Sequence, residues 1–321
     1  MNNAATHSQR EAVVSAPTED RHPATYALDA MSTLELLRAL NHEDASVAPA
    51  VLQVLPELAV VVDLVVERIR AGGTVHYFGA GTSGRLAVID AAELMPTFNL
   101  PDGLFVAHHA GGTEALVKAV ENVEDNAELG AQEASAIGPR DVAVGLTASG
   151  RTPYVAGALA TARAKGALTI LITANPQPEL AGQVEHLLAV DTGPEVITGS
   201  TRLKAGTAQK LVLNSLSTAV MVRLGRTWSN FMVDMVATNA KLRGRVIRIL
   251  REATGVDEAA ARKALELASG ELKPALLSLL TGVDPDLARA ALEQHQGSVA
   301  EALRSIQSQN GTGIQRQEST R

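Results

Sequence analysis

The sequence predicts an α/β fold: a parallel five-stranded sheet flanked by helices, followed by a small C-terminal all-helical domain. Three observations carry that expectation. Between Thr74 and Val190, five short apolar runs alternate with helical segments, the pattern of a parallel sheet covered on both faces. Aromatic residues make up 2% of the 321 residues and hydrophobic residues 46%, so the core must be aliphatic. The C-terminal part repeats itself, with Thr254-Gly255-Val256-Asp257 recurring as Thr281-Gly282-Val283-Asp284.

Residues 1–25 are polar and read as a disordered tail. Ser32 or Thr33 caps a first helix. Helical pattern runs over Ala45–Ala71 and stops at Gly72-Gly73. Strands are expected at 74–78, 103–107, 141–146, 167–172 and 186–190. Helices are expected between them at 85–94, 114–127 and 153–165, with Pro96 ending the first near Glu93. Right-handed crossovers would set the strand-end loops along one edge, where such sheets bind ligands. A long helix over 205–224 has an apolar side suited to the sheet or to a second subunit. Each C-terminal repeat reads as capping Asp, amphipathic helix, Gly turn and second helix. Its simplest role is structural. The expected organisation is a tail (1–25), the sheet domain with its N-terminal helices (26–245), the helical domain (246–306) and a second polar, disordered tail (307–321).

Composition excludes several functions. Net charge is −7 with no Lys/Arg run, which argues against nucleic-acid binding. With no cysteine there is no disulfide, thiolate metal site or cysteine nucleophile, which fits a reducing compartment. The N-terminus lacks a secretory apolar segment. The most apolar stretch, Leu58–Val66, is interrupted by Asp63 and is too short to span a membrane. His108-His109 is the one adjacent histidine pair, and strand alternation points the two to opposite faces. No metal is expected, nor a P-loop.

Two loops carry the chemistry. Gly79-Ala80-Gly81-Thr82-Ser83-Gly84-Arg85 follows a strand and opens a helix. It fits the dinucleotide fingerprint, but the second strand ends in Ala107-His108-His109 without a carboxylate for a ribose. Hydroxyls beside a helix N-terminus instead suit a compact phosphate monoester. Thr147-Ala148-Ser149-Gly150-Arg151-Thr152 repeats the arrangement before Pro153, a residue favoured in a first helical turn. For either loop alone, Ser and Thr acting merely as helix caps is an equal reading; the pair is more specific. Such paired loops resemble sugar isomerase (SIS) domains, which bind phosphosugars without always isomerising them. Thr82, Ser83, Thr147, Ser149 and Thr152 are the candidate phosphate contacts.

Asp90 and Glu93 lie three residues apart on the helix after the first loop, and Glu121-Asn122-Val123-Glu124-Asp125 is a second acidic group. The run from Gly79 to Leu86 with Asp90-Ala91-Ala92-Glu93, and the run Ala148–Val155, are similar to two signatures of N-acetylmuramic acid 6-phosphate etherases. A third, Glu195–Asn214, is long and specific, and Asn230-Phe231-Met232-Val233-Asp234 with Ala237-Thr238-Asn239 adds a fourth. The resemblance spans about residues 27–305. It implies Glu93 as proton donor and Glu124 as a second active-site glutamate, no cofactor, a phosphorylated amino sugar as substrate, a homodimer and a cytoplasmic setting in cell-wall amino sugar recycling.

The implied chemistry is elimination. In the ring-opened sugar, the C1 aldehyde acidifies the C2 proton. Glu124 would take that proton while Glu93 protonates the departing lactyl oxygen, and water then adds back. Glu93 should therefore be shielded or near another anion. Arg85, Arg151 and Lys204 are open between pairing with phosphate or lactate carboxylate and surface ion pairs. Three other readings stay open. A sugar-phosphate-responsive regulator would need a DNA-binding segment or further domain, and neither is visible. An aldose–ketose isomerase would not need the third signature. A dehydrogenase would need the missing ribose carboxylate.

Overall fold

The apolar runs form β1 (Val75–Gly79), β2 (Phe105–His109), β3 (Val142–Leu146), β4 (Leu168–Thr173) and β5 (His186–Ala189). All pair in parallel, in the order β2-β1-β3-β4-β5. The computed structural model from which this is read describes residues 16–118, 120, 122–235 and 240–318. The sequence-predicted fold class holds, strand for strand.

Side-chain alternation divides the strands between two apolar layers. Val75, Tyr77, Val144, Ile170 and Leu188 face a layer built from α2 (Val47–Leu52), α3 (Leu55–Arg70), α4 (Gly81–Phe98) and α8 (Lys204–Arg223). Phe78, Ala143 and Leu171 face the other, where α6 (Ala127–Glu133) packs on α7 (Pro153–Ala164). The chain steps from β1 outward to β2, then back past β1 to β3. The β1/β3 boundary is thus the switch point of the sheet, where the loops leaving two neighbouring strands part and open a crevice.

Several expected boundaries move. The helix expected over 45–71 is two helices, broken at Gln53-Val54. Ser32, not Thr33, caps α1 (Thr33–Asp44), in a reciprocal capping box with Glu35. Pro96 lies inside α4 rather than ending it; buried Leu94 and Phe98 hold the last turn to the core, and Asn99 in the left-handed region stops it. The helix expected over 114–127 is only α5 (Gly112–Val117). Ala115 is its one buried side chain, so no apolar stripe carries it further, and Lys118 is extended. Ala119 and Glu121, in the connection after it, lie outside the described residues.

Of the expected N-terminal tail, residues 1–15 lie outside the described residues, but 16–25 pack against the domain. Thr25 Oγ1 donates to the Val196 carbonyl at 2.9 Å, and Gly199 N–H donates to that of Thr18 at 3.0 Å. His22 approaches Glu43 at 3.1 Å. These polar residues are spent on contacts within the chain, which is why composition misread them.

The C-terminal helices are α9 (Ala240–Thr254), α10 (Glu258–Leu267), α11 (Leu272–Thr281), α12 (Pro285–Gln294) and α13 (Val299–Glu318). The repeat has the expected mechanics: Asp257 and Asp284 cap α10 and α12, and Ala261 and Ala288 are buried at matching positions. Helix α13 runs on to Glu318 instead of giving way to a tail after Ile306. A short hairpin not foreseen in the sequence, β6 (Thr227–Trp228) and β7 (Phe231–Met232), leads to Asp234. Asp234 pairs with Arg226 at 3.2 Å and with Lys273 of α11 at 2.7 Å, pinning the helical domain to the sheet domain. Ala237, Thr238 and Asn239 of the fourth signature lie outside the described residues. No single described helix is long and apolar enough to cross a membrane.

Candidate functional site at the sheet switch point

Gly79 closes β1 opposite Leu146 of β3 on one side and His109 of β2 on the other. The two hydroxyl loops and the connection carrying Glu124 therefore leave three adjacent strands at the same edge. Glycine makes the first loop possible. A Cβ on Gly84 would stand 2.5 Å from the Gly79 carbonyl oxygen, and one on Gly79 2.7 Å from the Gly84 nitrogen. Only two glycines let α4 start this close to the strand it follows.

Neither loop spends its hydroxyls as caps. Ala80 and Thr152 hold the N-cap positions of α4 and α7, and neither makes a side-chain capping bond. In the second loop, buried Thr147 sits at the centre of a hydroxyl cluster. Its Oγ1 lies 2.7 Å from Thr152 Oγ1 and 3.2 Å from Ser149 Oγ, and it accepts from Gly150 N–H at 3.3 Å. Three hydroxyl protons serve two hydroxyl–hydroxyl contacts, so one proton is left to donate elsewhere. Asn175 braces the loop, its Nδ2 donating to the Ser149 carbonyl at 2.9 Å. In the first loop, Ser83 is buried and donates to Gln209 Oε1 of α8 at 2.8 Å, while Thr82 is half-buried.

The carboxylates separate. Asp90 turns inward, 4% exposed: Oδ1 accepts from Asn214 Nδ2 at 2.7 Å and Ser217 Oγ at 3.0 Å, and Oδ2 from the Tyr77 hydroxyl at 3.1 Å. Burial pushes its carboxyl upward in pKa, against the pull of those donors. Glu93, three residues further on, is exposed, on the side of α4 that also exposes Ile89 one turn before it. The shielding expected of it is absent within this chain, because α4 turns that side away from its own core.

Glu124 lines a pocket of about 380 Å³ with Gly81, Arg85, His109, Asn122 and Asp125; Glu93 is not part of that wall. The backbone around Glu124 is held from both sides. Its carbonyl accepts from Tyr154 N–H at 3.0 Å, in the first turn of α7. Arg85 reaches from α4 to the end of α5, donating to the carbonyls of Ala115 at 2.7 Å and Leu116 at 2.9 Å. Arg85 thus ties down the segment that leads to Glu124 and lines the same pocket. Lys204, 3% exposed, pairs with Glu43 at 2.7 Å, so it is committed inside the fold. Glu195, fully buried, caps α8 by accepting from the N–H groups of Lys204 and Ala205 at 3.0 Å each. Much of the third signature therefore builds the start of α8.

Sequence reasoning missed two residues. His109 lines the pocket, its Nε2 3.3 Å from the Gly81 carbonyl. Alternation along the strand placed it opposite His108, which was the available signal. Gln209 lies on the buried side of α8, among Ala205, Ala208, Val212 and Leu213, and a polar residue at that helical spacing within the third signature was the available signal.

Comparison with known proteins accords with this geometry. Residues 57–163 match the glucokinase regulatory protein N-terminal SIS domain and residues 114–219 the SIS domain. The N-acetylmuramic acid 6-phosphate etherase of Thermobifida fusca is 57% identical over 274 residues, 85% of this chain and 90% of that protein. That of Pectobacterium atrosepticum is 51% identical over 265 residues, 82% of this chain and 88% of the relative. With identity of this extent across nearly the whole of both chains, the protein belongs to the N-acetylmuramic acid 6-phosphate etherase family.

Proposed function

We propose that this protein is a carbon–oxygen lyase that removes D-lactate from N-acetylmuramic acid 6-phosphate, leaving N-acetylglucosamine 6-phosphate. The observation that carries the reading is the convergence of two hydroxyl loops and a carboxylate-bearing connection on one switch point, in a chain of this family. Thr82, Ser83, Thr147, Ser149 and Thr152 take the 6-phosphate. Its binding energy, remote from the breaking bond, holds the open-chain sugar in a reactive pose. Glu124 removes the C2 proton and the electrons form the C2–C3 double bond. The C3–oxygen bond breaks, and Glu93 delivers a proton to the lactyl oxygen. Water then adds at C3 with the proton roles reversed.

The exposure of Glu93 supports a homodimer in which a second copy covers the α4 side bearing Ile89 and Glu93. This replaces the apolar side of α8 as the expected interface, since α8 buries that side against α2, α3 and α4 of its own chain. A phosphorylated sugar as substrate supports a cytoplasmic setting, in amino sugar recycling.

The test is D-lactate release from N-acetylmuramic acid 6-phosphate by wild type and a Glu93→Gln variant. Lactate from wild type, and a rate about a hundredfold lower or less in the variant, is expected. Folded protein that binds the phosphosugar yet releases no lactate would overturn the lyase reading in favour of a regulator.

A further inference from the structure

Gln209 is 2% exposed, and its Nε2 has no hydrogen-bond partner. A buried amide donor left unpaired is destabilising, and native folds rarely keep one without a use. Val212, Leu213 and Leu216 on the same helix show that this layer accepts aliphatic side chains. The amide's other end is occupied: Oε1 accepts the proton of Ser83 at 2.8 Å, in the loop assigned above to the phosphate. Whichever way the carboxamide turns, Ser83 satisfies one end and the other stays unpaired.

Ser83 has a single proton. While that proton lies on Gln209 Oε1, Ser83 has none to give a phosphate oxygen. We propose that Gln209 is a phosphate-coupled amide switch that sets the direction of the Ser83 hydroxyl. When a phosphate monoester enters the β1–α4 loop, it supplies a new acceptor and the Ser83 proton turns to it. The Gln209 carboxamide then turns over, and Nε2 donates to the vacated Ser83 oxygen. The exchange satisfies the orphaned N–H and leaves an under-used carbonyl, the better tolerated of the two defects. Gln209 is therefore a positioning residue: it stays out of contact with substrate and acts through Ser83. The proposal rests on the phosphosugar reading of this loop.

The test compares wild type with Gln209→Met and Gln209→Glu, measuring melting temperature and calorimetric dissociation constants for inorganic phosphate and for N-acetylglucosamine 6-phosphate. Met removes the orphaned donor and the switch together. It should melt at or above the wild-type temperature and bind both anions about tenfold more weakly, the worth of one hydrogen bond to a charged group. Glu can hold the Ser83 proton but never donate, so its loss should be larger, about a hundredfold. Variants that bind both anions like wild type would overturn the switch and leave the etherase reading standing. A Met variant that melts well below wild type would overturn it as well, because the carboxamide would then be serving the fold. Wild type that binds neither anion would overturn the phosphate reading of the loop, and the switch with it.

Discussion

Replacing Arg85 by Met should slow the chemical step while leaving substrate affinity nearly intact. The guanidinium donates at 2.7 Å and 2.9 Å to two carbonyls at the C-terminal end of α5. Each such bond from a charged donor is worth about 1.5 kcal/mol at the low end, and the helix terminus adds a few tenths. Losing both removes about 3 kcal/mol from the anchoring of the segment that leads to Glu124. That is enough to let its position drift, and an error of about 1 Å in a catalytic group costs about a hundredfold in rate. The expected result for Arg85→Met is kcat lower by about a hundredfold with KM within about threefold of wild type. Arg85→Lys, whose ammonium serves one carbonyl instead of two, should fall between. The assay is steady-state lactate release across a substrate range. A KM raised tenfold or more at unchanged kcat would refute the reasoning, because it would put the guanidinium on a substrate anion.

Gly84→Ala tests the close start of α4. Alanine is ordinarily the better helix residue by about 1 kcal/mol. Here its Cβ would stand 2.5 Å from the Gly79 oxygen and 2.6 Å from His109 Cδ2, so a net loss of about 2 kcal/mol or more is expected. A folded variant melting at or above the wild-type temperature would contradict the geometry. His108 predicts an acid sensitivity. Burial, and then the charge of His76, push its pKa from 6.5 down to about 4. Its nearest ionisable neighbours are His76 at 3.0 Å and Glu133 at 3.8 Å. The unfolded chain takes up a proton that the fold refuses, so this stability is complete above pH 6.5 and drains as pH falls toward 4. At pH 5 the loss is about 2 kcal/mol, or about 4–8 °C in melting temperature. His108→Phe, which keeps the ring stacked on Phe78, should show a clearly smaller drop between pH 7.5 and 5; an equal drop would remove His108 as its source.

The sheet was legible because each buried parallel strand is a nearly unbroken apolar run, and no other arrangement hides five of them. The loops were legible because glycines and hydroxyls stood at strand ends. Legibility failed where a segment's fate depended on partners distant in sequence. Residues 16–25 look like any polar tail until Val196, Gly199 and Glu43 come beside them. The helix expected after residue 114 has the right composition but nothing to bury its far turns against, so it ends at Val117. Asp90 and Glu93 look equivalent in sequence, yet a rotation of about 60° on a helix separates a core residue from an exposed one. Periodicity gives the spacing of a helix face but not which neighbour it meets.

Helix α4 shows how one element serves both the fold and the site. Ser83 and Asp90 are seven residues apart, almost two full turns, so both look toward α8. Asp90 engages Asn214 and Ser217 there and Tyr77 below, and both of its oxygens are paired. Ser83 engages Gln209, and that contact leaves an amide nitrogen with nothing to bond. Arg85 and Glu93 lie off this seam, one holding the connection to Glu124 and the other facing outward. The seam is therefore closed at its Asp90 end and open at its Ser83 end. A fold selected for stability alone would close both, since the orphaned nitrogen could be removed by an aliphatic residue of similar size. The open end coincides with the loop whose hydroxyls and helix terminus suit a phosphate, and a bound anion would complete it.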